Sequence, residues 1–148
     1  MKKILINTTL SIAIGTLLTG CMASSNFIAT KSNINKLDNK QCLTTPPLEE
    51  IGKLQLIEQN LYVAVNDILK LKNIDNNKSC RNIINVKYDI LDDDVVLLTV
   101  LNKSKSVYTL RLERKCCGNR TTITQYTPDE LAIEVKKATK KMLKDLNY

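Results

Sequence analysis

Apolar residues recur along this chain with two different periods, and the periods divide it. Ile51, Leu54, Ile57, Leu61, Val65, Ile68 and Leu71 fall three or four apart, which places them on one face of a helix running to about residue 72. Thr45 can cap that helix, Pro46 suits its first turn, and Glu49 and Glu50 favour its positive end. Asn73 and the Asp75-Asn76-Asn77 cluster end it. The period then drops to two. Over 84–90, Ile84, Val86, Tyr88 and Ile90 alternate with Asn85, Lys87 and Asp89, the mark of a half-buried strand. After a turn at Asp92-Asp93-Asp94, residues 95–101 are almost continuously apolar and fit a central strand. Over 106–114, Tyr108, Leu110 and Leu112 alternate with Thr109, Arg111 and Glu113, and a weaker strand over 120–126 follows a Gly118-Asn119 turn.

The last element has a full start signal. Thr127-Pro128-Asp129-Glu130 forms a capping box with proline at the first helical position. Leu131, Val135, Ala138, Met142 and Leu146 then mark an apolar face, with Lys136, Lys137, Lys140, Lys141 and Lys144 crowding the rest. The order is α-β-β-β-β-α. Short connections favour an antiparallel four-stranded meander, flanked by an N-terminal and a C-terminal helix packed on one sheet face. This is a small α+β domain.

The N-terminal pattern is of another kind. Lys2 and Lys3 precede a 15-residue, mainly apolar stretch over 4–18, broken by Asn7, Thr8, Thr9, Ser11 and Thr16. It is too short and too polar for a spanning helix of about 20 apolar residues and reads as a signal segment. Leu18-Thr19-Gly20-Cys21 follows directly. An aliphatic residue, two small residues and a cysteine in this register resemble the lipobox of bacterial lipoproteins. The resemblance covers the export segment alone. It implies cleavage before Cys21 by signal peptidase II, lipidation of the Cys21 thiol and acylation of the new amino group. Several acyl chains, at about 0.8 kcal/mol per buried CH₂, hold a protein stably on a bilayer. Met22 stands where an aspartate would favour inner-membrane retention in enteric-type sorting, so the resemblance implies the outer membrane, with the domain facing the periplasm.

The expected organisation is therefore a signal peptide over 1–20, a lipidated Cys21 with a flexible tether over 21–43, and the α+β domain over 44–148. The tether is rich in Ser, Asn, Thr and Lys and has no sustained period. About 20 flexible residues would give an r.m.s. reach near 25 Å.

Composition narrows the chemistry. The 148 residues include no histidine, which excludes Ser-His-Asp and Cys-His relays and histidine-ligated metals. No Gly-rich phosphate loop, GxSxG elbow or HExxH motif is present, and a domain near 100 residues leaves little room for a sugar cleft between paired carboxylates. A non-enzyme without cofactor or metal is expected. The Asp92-Asp93-Asp94 run lacks the alternation of a calcium loop and reads as a charged hairpin turn.

Four cysteines remain beside Cys21: Cys42, Cys80, Cys116 and Cys117. In an oxidising compartment disulfides are the default. Of three connectivities, one needs a strained bond between the adjacent Cys116 and Cys117. The other two tie Cys42 and Cys80 to that pair and are preferred, because they pin the loose start of the domain onto the sheet. A reactive Cys116 or Cys117 would instead point to a thiol oxidoreductase.

Charge is uneven. The chain carries 22 Lys+Arg against 15 Asp+Glu; residues 103–148 alone hold eleven against five, and residues 21–102 nine against ten. Sparse aromatics and the absence of a binding motif argue against nucleic acid. Two roles fit. One is a non-catalytic accessory lipoprotein that recognises a protein partner in a secretion, transport or outer-membrane assembly complex. The other is a ligand-binding lipoprotein whose basic C-terminal helix meets anionic lipid, glycan or host molecules.

Overall fold

The computed structural model of the chain describes residues 24–31, 42–74, 80–89, 95–115 and 126–148. In chain order they form β1 (Ser24–Lys31), α1 (Leu48–Ile51), α2 (Leu56–Leu71), β2 (Asn82–Asp89), β3 (Val95–Asn102), β4 (Lys105–Lys115) and α3 (Pro128–Asp145). The strands make one antiparallel sheet in the order β1-β4-β3-β2. The class is α+β, as the periodicities require.

The meander is present as β2-β3-β4. Its second turn is two residues long, with Lys103 and Ser104 both at positive φ (48° and 63°), the backbone of a type I′ hairpin whose twist matches the flanking strands. The fourth place in the sheet belongs to β1. Residues 24–31, expected within a flexible tether, pair with β4 from Ser24↔Lys115 to Lys31↔Tyr108. Of the strand expected over 120–126, residues 120–125 lie outside the described residues, and Tyr126 is outside the strands.

The expected first helix is two helices. Gly52, costing about 1 kcal/mol relative to alanine in a helix, ends α1, and α2 restarts at Leu56. Thr45 does not cap. Pro47 occupies the N-cap position without a side-chain hydrogen bond, and the Thr45 hydroxyl donates instead to Asn66 Oδ1 at 3.1 Å. The break turns Leu54 outward and leaves Ile51 buried. In α3 the expected grammar holds. Glu130 N–H donates to Thr127 Oγ1 at 3.3 Å, and Thr127 N–H to Glu130 Oε2 at 2.9 Å; these bonds hold the Glu130 carboxyl below its ordinary pKa. All five predicted face residues of α3 are buried.

One sheet face carries Ile84 and Val86, then Val96, Leu98 and Val100, then Tyr108, Leu110 and Leu112, all buried. Against it pack α2 with Leu61, Tyr62, Val65, Ile68 and Leu69, and α3 with Leu131, Val135, Ala138, Met142 and Leu143. β3 is central and the best covered of the strands, as its continuous apolar run predicts. The opposite face carries exposed Ile28, Lys87 and Arg111 with half-buried Leu97, Thr99 and Thr109.

The outer edge of β2 is closed by side chains and a short bridge. Ile84 N–H donates to Thr44 O (2.7 Å), Val86 N–H to the Tyr62 hydroxyl (3.0 Å), and Tyr88 N–H more loosely to Glu58 Oε1 (3.4 Å). A strand edge with satisfied donors offers no template for further pairing. These contacts also set direction. Glu58, near the start of α2, lies beside the end of β2, and Asn66, further along, lies beside Thr45 at its beginning. The Tyr126 hydroxyl, just before α3, is 2.7 Å from Ser25 Oγ. The first turns of α2 and α3 and the first residue of β1 therefore share one end of the domain. The β3–β4 hairpin, Cys42 and the C-terminal turns of α2 and α3 share the other.

Candidate functional site

The far end, opposite Ser24, is built first by a disulfide. Thr44 N–H donates to Asn82 O at 3.0 Å, Asn82 Nδ2 donates to Cys42 O at 2.9 Å, and Asn102 Nδ2 donates to Asn82 Oδ1 at 3.1 Å. This buried network lays residues 42–44 along the start of β2 and puts Cys42 in a disulfide with Cys80, Cα–Cα 5.5 Å. The preferred pairings of Cys42 and Cys80 with Cys116 and Cys117 are thereby corrected. Lys115 pairs with Ser24, whereas Lys105 pairs with Asn102 beside Asn82. Eleven residues of β4 at about 3.4 Å each separate those ends, beyond the reach of a disulfide. Cys116 and Cys117 themselves lie outside the described residues, as do Cys21 and Asp92 to Asp94.

Two asparagines then stop the helices side by side. Asn73 follows α2 at φ 51° and Asn147 follows α3 at φ 63°, the left-handed caps that asparagine tolerates better than other side-chain-bearing residues. The Asn147 turn folds Tyr148 back so that its N–H donates to Leu143 O at 2.9 Å and its hydroxyl reaches Cys42 O at 3.5 Å. Burial pushes the Tyr148 phenol pKa up. Between the helix ends lies a groove of about 530 Å³, lined by Ile68, Leu71, Lys72, Lys140, Leu143, Lys144 and Tyr148. Its floor is apolar and its rim carries three ammonium groups.

The five lysines named from sequence are not equivalent. Lys136 pairs with Asp67 of α2 at 2.8 Å, Lys137 with Glu134 at 2.6 Å, and Lys141 with Asp145 at 3.2 Å. Lys140 and Lys144 have no ion-pair partner among the described residues, nor has Lys72, and all three line the groove. Asp145 is engaged elsewhere: it accepts from the Tyr108 hydroxyl at 2.9 Å as well as from Lys141. Burial alone would raise its pKa. The hydrogen bonds from Tyr108 and Lys141 and the charges of Lys141 and Lys31 outweigh that and hold it below the ordinary value. For Tyr108, burial and then the Asp145 carboxylate drive the phenol strongly upward.

Sequence reasoning missed Lys72, Leu71 and Tyr148. Leu71 was expected in the buried face and is 73% exposed. Its spacing fits that face, and only the packing of two helix ends reveals a groove wall. No three His, Cys, Asp or Glu side chains come together to suit a metal among the described residues. No helix among them is long and apolar enough to cross a membrane.

Fold and site together define a two-layer α+β domain, closed at one end by a disulfide and grooved there between two parallel helices. The chain matches no family model and no curated protein. Among solved structures, a PelC dodecamer from Paraburkholderia phytofirmans is similar over 83% of this chain and 97% of that one, at 8% identity and a TM-score of 0.44. A likeness of that size carries no argument about function.

Proposed function

We propose that the protein is a non-catalytic accessory lipoprotein of the cell envelope, held on the outer membrane's periplasmic leaflet by lipid on Cys21 and binding a protein partner through the basic groove. The observation that carries the reading is the position of Lys140 and Lys144, which have no ion-pair partner among the described residues. Ser24 begins β1 three residues after Cys21, so an anchor there lies at the Ser24 end. Lys140 and Lys144 stand 12 and 16 residues beyond Pro128, about 18 and 24 Å along the axis of α3. That exceeds the screening length of about 8 Å at physiological salt, so the anchoring membrane's own headgroups are a poor match for them. An acidic, partly apolar segment of a protein fits an apolar floor rimmed by ammonium groups. The position of the lysines thus favours a protein partner over the protein's own membrane lipid.

The test uses the full chain cross-linked in membranes. Lys140→Glu with Lys144→Glu is expected to abolish a specific cross-linked complex, while Lys136→Glu with Lys137→Glu leaves it largely intact. Equal retention in both variants would remove the groove from the function. Cys21→Ser should release the protein from membranes, and unchanged fractionation and mass would overturn the anchor.

A further inference from the structure

The geometry points to a second membrane contact: the corner between α1 and α2, bearing Leu48, Leu54 and Leu56, docks its apolar side chains on the lipid bilayer in which Cys21 is anchored. The inference rests on the reading of Cys21 as lipidated.

Seven large hydrophobic side chains are exposed among the described residues, and three of them fall in this nine-residue stretch: Leu48 at 82%, Leu54 at 37% and Leu56 at 72%. They stand out where the chain had a helical alternative. The break at Gly52 to Gln55 takes Leu54 out of the buried stripe, and the Gln59 amide fixes the break by donating to Leu54 O at 2.9 Å and, more weakly, to Gly52 O at 3.4 Å. The corner is therefore a held shape. Its place in the fold says what covers it. Leu56 precedes Glu58 by half a turn, and Glu58 meets Tyr88 near the end of β2. Across the ladder that end of β2 faces the start of β3, the end of β4 and the start of β1.

Two residues, Met22 and Ala23, separate Cys21 from Ser24, which makes three Cα–Cα steps. With consecutive Cα atoms 3.8 Å apart, the lipidated residue lies within about 11 Å of the sheet. A bilayer holding those acyl chains passes beside this end of the domain, and leucines there reach the acyl boundary at the depth of about 5–10 Å usual for interfacial apolar groups. The flanking charges are Glu49 and Glu50 on α1, Glu58 on α2 and Lys53 between the helices. They do not make a basic patch, so the contact is apolar and needs no anionic lipid.

The protein contains no tryptophan, so a single introduced indole reports without background. Leu56→Trp is compared with Leu71→Trp, a position of matching exposure at 73% that lies 15 residues, about 22 Å, further along α2. Leu48→Trp serves as a second reporter of the corner. Each full-length protein is purified from membranes and reconstituted into phosphatidylcholine vesicles with or without brominated acyl chains. Flotation with the vesicles reads the anchor, and quenching reads the corner. The expected result is flotation of all three, with a blue shift and loss of most emission in brominated vesicles for Leu56→Trp and Leu48→Trp, little changed by salt, and almost none for Leu71→Trp. Flotation with no quenching at the corner, or with equal quenching at Leu71→Trp, overturns the docking and leaves the anchor standing. Failure to float overturns the anchor and the docking with it.

Discussion

Replacing Tyr62 with phenylalanine removes one oxygen and tests how the sheet edge is closed. The side chain is 2% exposed. Its hydroxyl accepts from Val86 N–H at 3.0 Å and donates to Asn85 Oδ1 at 2.8 Å. Burial raises its pKa; the Val86 hydrogen bond partly offsets this, and the nearby Glu58 and Glu50 add to the rise, so at neutral pH the group is a protonated phenol serving as both donor and acceptor. Asn85 is exposed, so its carbonyl rehydrates at little cost in the variant. Val86 N–H cannot, because phenylalanine offers no acceptor and its ring blocks water. An unsatisfied buried donor costs about 1–3 kcal/mol, and the expected loss is about 2 kcal/mol. With a urea m-value near 1.5 kcal/mol/M for a domain of this size, the midpoint falls by about 1.3 M at unchanged slope. Amide exchange supplies the local readout: Val86 should lose protection relative to Ile84, whose donor goes to Thr44 O. A midpoint shift below about 0.3 M with Val86 still protected would refute the edge argument.

Two further outcomes follow from the far end. Removing the disulfide with Cys42→Ala and Cys80→Ala frees a chain separation of 38 residues, worth about 4 kcal/mol in the chain-entropy model; a urea midpoint equal to that of the oxidised wild type would show that the bridge constrains nothing. Asp145 titrates below its ordinary value when folded, so the unfolded chain binds its proton more tightly. Its stabilising contribution is complete above the unfolded pKa near 3.9 and is lost as pH falls through the lower folded pKa. Asp145→Asn should therefore be less stable at neutral pH and lose less stability on acidification, measured by urea melts between about pH 6 and about pH 2; parallel acid limbs would assign the acid sensitivity elsewhere.

The elements legible in the sequence were those whose pattern is set by their own burial. β3 reads as apolar because both neighbours and two helices cover it, and α3 announces itself through a capping box that the structure forms bond for bond. β1 was hidden because an edge strand buries little: Phe27 and Ala29 are only half-buried, exposed Ile28 interrupts the alternation, and the serines and asparagine before them suit a loop equally well. The break in the first helix was hidden for the opposite reason. Ile51, Leu54 and Ile57 keep helical spacing across a corner that is not helical. The Cys42–Cys80 pairing could not be read from spacing, since the bridge between Thr44 and Ile83 decides it. Of the lysines, composition gave the number; the pairs of Lys137 with Glu134 and of Lys141 with Asp145 lie within α3 at helical spacing, whereas the pair of Lys136 with Asp67 depends on the packing of α2 on α3.

Placing β1 in the sheet changes what an anchored domain of this kind can do. A tether of about 20 flexible residues would let the groove sample a volume of r.m.s. radius near 25 Å. With Ser24 already paired to Lys115, only two residues, Met22 and Ala23, remain between the proposed anchor and the sheet. The height of the groove is then set by the length of the domain: α3 alone spans about 27 Å from Pro128 to Asp145. Lys72, Lys140 and Lys144 on the groove rim would stand at a fixed distance from the bilayer, facing away from it. A fixed height suits an adaptor whose partner also has a defined position relative to the membrane, because little orientational freedom remains to be lost on binding. It suits poorly a protein that must search for dispersed ligands. This is a reason, independent of charge, for proposing an assembly component rather than a ligand-capturing lipoprotein, and on that proposal the shortness of the Cys21–Ser24 link would matter to function. Lengthening that link with a flexible Gly-Ser insert should weaken partner engagement without touching the groove, whereas a ligand-capturing protein would tolerate it or gain.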